Sequence, residues 1–195
     1  MRYIGAKRGE IMAEQGYIRL YDKALLGEKW ALEELLRLYS DPLTRFAYCF
    51  VKDSAAAEDI MEEAFVKLLL KEKHFSHADN LRAYLYKIVR NKALDYLRKH
   101  KKRVPLADYE NVLCAESAEQ QLLQREEKRC LYRCLQQLPS QYAEVLYLTY
   151  FENYKAEEIC KITHRNKKQV YNLLARAKST LKELLIKEGI EYGNV

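Results

Sequence analysis

Residues 156–185 read AEEICKITHRNKKQVYNLLARAKSTLKELL. Ala156 to Ile162 has the length of a short helix, Thr163 to Asn166 is a polar break, and a longer helix is predicted from Lys167 to about Leu185. Asn166 stands where an N-cap is wanted. Ile159, Ile162, Val170 and Leu174 fall where they would pack the two helices together. Lys167, Lys168, Gln169, Tyr171, Asn172 and Arg176 are then left facing outward. This is the pattern of a helix-turn-helix, whose second helix enters the major groove and meets base edges with its first turns. Asn and Gln match adenine and Arg matches guanine, while Lys178 and Lys182 suit phosphates.

The helical reading extends over most of the chain. All six glycines lie at positions 5, 9, 16, 27, 189 and 193, so the span from Glu28 to Glu188 has none, and only Pro42, Pro105 and Pro139 interrupt it. Strand-rich folds need turn residues at intervals of about 8–12 residues, so an all-α fold is expected. Leu32, Leu35, Leu36 and Tyr39 make one apolar stripe. Ala57, Ile60, Met61, Ala64, Phe65 and Leu68 make a second, after a capping candidate at Asp53 or Ser54. A third helix is predicted from near Asp79 through Leu81, Leu85, Ile88 and Leu97. The pattern resumes from Gln120 with Leu123, Leu131, Leu135 and Leu138, and Pro139 suits the first position of the next helix.

Charge divides the chain further. Residues 90–103 read RNKALDYLRKHKKR, with seven Lys or Arg and one Asp. Taking these from the chain's 34 basic and 28 acidic residues leaves 27 of each, so the whole net charge of +6 equals that of this stretch. Such a patch points to a polyanion, where a merely solvated helix end is the alternative. From Val104 to Glu119 there are four acidic residues and no basic one, and Pro105 ends the preceding helix. The expected organisation is two small helical domains: an N-terminal extension at 1–27, a first domain at 28–103, an acidic linker at 104–118, and a second domain at 119–188 ending in the helix-turn-helix. Met12 offers a second start codon.

Several function classes are excluded on the same grounds. No window approaches the roughly 18 apolar residues of a membrane span, and the first residues hold no apolar signal core, so a cytoplasmic protein without a membrane partner is expected. Five cysteines without a small-scaffold spacing imply reduced thiols. Cys130 with Cys134, and Cys160 with His164, are each spaced for two ligands on one helix face. Cys130 and Cys134 belong to an apolar stripe and Cys160 to a small core position, so no metal and no cofactor are expected. No Ser-His-Asp set, phosphate loop or carboxylate pair appears, and the chain is not read as an enzyme.

Three stretches together resemble the RNA polymerase sigma factors of the extracytoplasmic-function subfamily, over about Glu28 to Leu185. Ala57-Glu58-Asp59-Ile60-Met61-Glu62-Glu63-Ala64-Phe65-Val66-Lys67-Leu68 resembles the family's polymerase-binding helix. Residues 81–98, LRAYLYKIVRNKALDYLR, resemble the helix that binds the melted minus-ten element, and Leu138-Pro139-Ser140-Gln141-Tyr142 with the helix-turn-helix resembles the domain that reads the minus-thirty-five element. The resemblance implies that Glu58, Asp59, Glu62, Glu63 and Phe65 meet core RNA polymerase. It implies that Tyr84, Arg90, Asn91, Lys92, Arg98 and Lys99 capture minus-ten bases, with the loop at about Phe75 to Asn80 and the interleaved Tyr86 and Tyr96. Lys167, Lys168, Gln169, Tyr171, Asn172, Arg176 and Lys178 would contact the minus-thirty-five element. The implied partners are core RNA polymerase, promoter DNA and an anti-sigma protein. The chain departs from the family at Glu62, Tyr84 and Leu173, and has His164 and Arg165 where the turn usually holds Gly and an apolar residue. A free-standing helix-turn-helix regulator is the alternative, and a helical adaptor a third; neither accounts for the acidic helix, the basic aromatic helix and the linker together.

Overall fold

The computed structural model describes residues 16–100, 131 and 133–189, and every regular element among them is helical. The linker, the helix start at Gln120, Leu123, Cys114 and Cys130 lie outside the described residues. The chain divides into two compact units between Lys101 and Lys102.

The first unit holds α1 (residues 16–25), α2 (Lys29–Val51), α3 (Ser54–Leu70) and α4 (Ala78–Lys99). Gly27 turns the chain from α1 into α2 at φ 85°, a conformation that costs glycine little. α2 runs straight through Pro42, which elsewhere costs about 3 kcal/mol. The burial of Leu35, Tyr39, Leu43 and Phe46 on both sides of it offsets that loss. α3 starts where Asp53 accepts a hydrogen bond from the Ala56 amide at 2.8 Å, which selects Asp53 over Ser54 as the cap. The stripe Ala57, Ile60, Met61, Ala64, Phe65 and Leu68 is buried in full. Against it pack Leu81, Leu85, Ile88 and Val89 of α4. Tyr86 is buried and meets Phe46 edge-on, with ring centroids 5.0 Å apart, so it is a core residue and not a surface for bases. α1 belongs to this unit too: Tyr21 and Ala24 are in its core.

The second unit holds α5 (residues 133–137), α6 (Ser140–Leu146), a π-helical turn at Tyr147–Phe151, α7 (Ala156–Thr163) and α8 (Lys167–Lys187). Pro139 is the N-cap of α6, where the sequence pattern placed it one residue inside; its ψ of 138° is extended, and the helix begins only at Ser140. The π turn carries Tyr147 stacked on Phe151 at 5.1 Å. Nothing in the apolar spacing distinguishes such a turn from continued α-helix. α7 runs one residue further than expected, because the Thr163 hydroxyl donates back to the Ile159 carbonyl at 2.7 Å.

Candidate nucleic-acid interface

Three surfaces carry the charged residues, two on the first unit and one on the second. Along α3, Glu58, Asp59, Glu62 and Glu63 are all exposed on the side away from the buried stripe. Phe65 is only 3% exposed, so the expectation that it meets a partner is corrected: it belongs to the buried stripe of α3 and fills the core. The apolar residues the acidic side does present are Val66 and Leu70, 57% and 80% exposed. Spaced four apart and off the core stripe, they were legible in the sequence and were missed. They line an open groove of about 560 Å³ with Asp59, Glu62, Glu63, Lys67, Lys71 and Lys92. Lys92, which comes from α4, donates to Glu63 across it.

α4 brings the basic and aromatic residues to one helix. Arg90, Asn91 and Lys92 are half-buried, whereas Arg98 and Lys99 are exposed at its C-terminal end, where cations also suit the helix dipole. Arg98 pairs with Asp95 at 2.9 Å, and Tyr96 stacks on His100 with centroids 4.1 Å apart. Tyr84 is half-buried, with the Lys73 ammonium 4.6 Å from its ring centroid. The loop of residues 71–77 leads into α4, and every residue in it except Phe75 is exposed.

The helix-turn-helix of the second unit is built from α7 and α8. Ile159, Ile162 and Val170 are buried between them, and Leu174 is half-buried. Asn166 caps α8, accepting from the Gln169 amide at 2.9 Å, while Gln169 Oε1 accepts from the Asn166 amide at the same distance. Gln169 is thereby engaged at the helix start. Lys168, Tyr171, Asn172, Arg176 and Lys178 are exposed. Lys167 is exposed as well, but pairs with Glu157 of α7 at 2.7 Å. That hydrogen bond raises the Lys167 ammonium above its usual range and lowers the Glu157 carboxyl. Lys178 lies 5.3 Å from the ring centroid of Tyr150, an exposed residue of the π turn that sequence reading had not placed here.

The turn itself departs from a glycine pattern. His164 takes φ 56°, a left-handed conformation uncommon for a residue with a Cβ. Arg165 reaches Glu144 of α6, Nη1 to Oε2 at 2.5 Å; Glu144 is 1% exposed and the Arg165 side chain 20%. Where an apolar side chain would fill the turn, this chain holds it with an ion pair.

Three of the five cysteines, Cys49, Cys134 and Cys160, lie among the described residues. Cys134 is buried against Leu185 with Leu131, Leu181 and Leu184 around it. Cys160 is half-buried, which corrects its placement as a core residue: it sits on the flank of α7 between buried Ile159 and exposed Lys161. Among the described residues no group of three ligating side chains comes together. Among the described helices none is long and apolar enough to cross a membrane.

Comparison with known proteins matches residues 35–103 to Sigma-70 region 2 and residues 128–181 to Sigma-70 region 4. The ECF RNA polymerase sigma factor SigM of Bacillus subtilis is 32% identical over 157 residues, which cover 78% of this chain and 94% of SigM. SigV of the same organism is 30% identical over 146 residues, covering 75% and 86%. Among solved structures, CnrH in complex with the cytosolic domain of CnrY superposes with a TM-score of 0.58 at 21% identity, over 87% of this chain and 97% of CnrH. RpoE from Bartonella quintana, in complex with the anti-sigma factor NepR, gives 0.61 at 22%, over 79% and 96%. At these identities the two structures speak to the fold alone.

Proposed function

The chain belongs to the extracytoplasmic-function RNA polymerase sigma factors and directs RNA polymerase to promoters, and we propose that its three charged surfaces divide that task. The acidic side of α3 docks on core polymerase. Glu58, Asp59, Glu62 and Glu63 supply charge, and Val66 and Leu70 supply the apolar area that turns an encounter into a complex. Next to it, α4 and the loop before it take the melted minus-ten strand. Arg90, Lys92, Arg98 and Lys99 meet phosphates, while Asn91 with Tyr84 holds bases withdrawn from the stack. α8 reads the minus-thirty-five element with Asn172, Arg176 and Tyr171 toward base edges, and Lys167, Lys168, Gln169 and Lys178 toward the backbone. With α1 added to the 28–103 domain, and the acidic segment 104–118 between it and 119–188, one chain holds two promoter elements and the polymerase at once.

The chain then regulates where polymerase starts and leaves the chemistry to the core enzyme, acting in the cytoplasm. Because CnrH and RpoE were each solved with a partner, the second an anti-sigma factor, an anti-sigma protein is part of this reading. The observation that carries it is the adjacency, within one helical unit, of an acidic face with exposed Val66 and Leu70 and a basic aromatic helix. A free-standing regulator would have no use for that pair. The test is run-off transcription with core polymerase, comparing wild type with Glu58→Lys/Asp59→Lys. The variant keeps its helical content and loses both co-purification with core and run-off product; unchanged co-purification refutes the docking assignment.

A further inference from the structure

Tyr21 lies in α1, upstream of both matched segments, yet it is completely buried. Its hydroxyl donates to the Leu68 carbonyl at 3.4 Å, in the last turn of α3. Its ring meets Phe75 edge-on at 5.5 Å between centroids, and Phe75 in turn meets Tyr84 at 5.5 Å. Lys73 covers the outside of the cluster, its ammonium 5.5 Å from the Phe75 centroid and 4.6 Å from that of Tyr84. One side chain is therefore joined to the end of α3, to the middle of the 71–77 loop and, through Phe75, to the second turn of α4.

The loop's ends are tied to the flanking helices, Glu72 by its amide to the Leu69 carbonyl and His77 by its carbonyl to the Asn80 and Leu81 amides, and Tyr21 also bonds the Lys73 backbone. The loop's side chains other than Phe75 face water, and Glu72 is held at φ 44°. Between those ends, Phe75 is the side chain that seats the segment in the core. With Tyr21 on one side and Tyr84 on the other, Phe75 serves as the loop's anchor, and exposed His74, Ser76 and His77 are what the loop offers outward.

We propose that Tyr21 is a positioning residue for promoter opening: through Phe75 it fixes the 71–77 loop at the spacing from α4 that minus-ten bases require, without touching DNA. The inference rests on the reading that this loop and α4 take the minus-ten strand. A role of this kind alters discrimination among minus-ten sequences and the rate of opening, while core docking on the far side of α3 is spared.

The experiment uses the full chain with core polymerase, measuring core affinity, upstream footprint and permanganate reactivity on promoters with single-base changes across the minus-ten element. Tyr21→Ala slows opening about ten-fold, the equivalent of one lost aromatic contact, and flattens the differences between minus-ten variants. Core affinity and upstream footprint stay within about two-fold, a change too small to matter on the affinity scale. Tyr21→Phe, which keeps the ring and loses the hydroxyl's bonds to the Leu68 carbonyl and the Lys73 backbone, restores the part of discrimination that the ring contact with Phe75 supplies. If Tyr21→Ala does not fold, Tyr21→Leu takes its place, filling the site without an edge for Phe75. Normal opening and discrimination in the folded variant overturn the proposal, as does equal loss of core affinity and opening. Asn91→Ala measured alongside separates the two ideas. Impaired opening there with a silent Tyr21 variant sinks only the positioning role, and silence in both sinks the minus-ten reading with it.

Discussion

Replacing Arg165 with Ala removes the guanidinium from Glu144, a carboxylate that is 1% exposed. One-sided loss of a buried pair costs about 3–5 kcal/mol. The Arg165 side chain keeps some solvent contact at 20% exposure, which places the cost nearer about 2–3 kcal/mol. Because the chain has two units, one global unfolding energy is not well defined, and amide hydrogen exchange resolved on α6 to α8 is the appropriate measure. Protection of the Ile159 and Val170 amides should fall by roughly 30- to 150-fold, at about 1.4 kcal/mol per ten-fold. Glu144→Leu/Arg165→Met, which removes both charges and keeps apolar volume, should lose much less than Arg165→Ala alone. Arg165 also precedes the cap residue Asn166, so the alanine variant should bind upstream DNA with altered preference as well as lower affinity. Protection unchanged within about three-fold, or a double variant as damaged as the sum of its singles, would refute the claim that this pair fixes the turn.

Arg176→Ala and Asn172→Ala should each cost about 1–3 kcal/mol at particular positions of a randomised upstream element, whereas Lys178→Ala should weaken all sequences alike and reduce the salt slope by about one. The reverse pattern would mean that α8 lies differently on DNA. Burial pushes the Tyr39 hydroxyl up to about 12 from 10.0, with Arg82 acting against it. A phenol pKa raised by folding stabilises the protein below pH 10, and about 3 kcal/mol of that stability is lost as pH climbs from 10 toward 12. Alkaline unfolding of Tyr39→Phe, followed by circular dichroism, should therefore show a shallower slope. His164→Gly relieves a left-handed φ of 56° at the expense of a more flexible unfolded chain, for a net gain of about 0.5–1 kcal/mol read as slower exchange in α7 and α8.

The helices and their inward faces were legible because burial repeats at the helical period: the six residues of the α3 stripe are all in the core. The cap at Asn166 was legible because only a short acceptor at that point satisfies the first amides of α8. Phe65 was misjudged for the same reason that α3 was found. The stripe that identifies the helix is the stripe that is buried, so none of its members, Phe65 included, could also face a partner. What spacing cannot carry is contact between distant segments. Tyr21 and Phe75 are 54 positions apart, and Glu144 and Arg165 are 21 apart; neither pair has a periodic signature. The π turn was hidden because it ends its helix, so no stripe follows it whose phase would reveal the extra residue.

The ion pair between Glu63 and Lys92 sets a condition on every mutational separation of the two surfaces of the first unit. Glu63 lies on the face assigned to polymerase and Lys92 on the helix assigned to the minus-ten strand, and both line one groove. Reversing Glu63 would repel Lys92 as well as the polymerase, so a loss of promoter opening in that variant would not distinguish weak docking from a displaced DNA contact. Glu58 and Asp59 lie about one turn earlier on α3, and the α3–α4 ion pair described above is made by Glu63. Charge reversal there perturbs the polymerase face and keeps the Glu63–Lys92 ion pair, with Glu58 lying outside the groove that Asp59 shares with Lys92. If docking and DNA capture are separate functions of one unit, Glu58→Lys/Asp59→Lys must abolish core binding without changing how single-stranded minus-ten DNA quenches the tyrosine fluorescence of the isolated chain. If that quenching is lost too, α3 and α4 form one surface, and the assignment of residues to two partners fails.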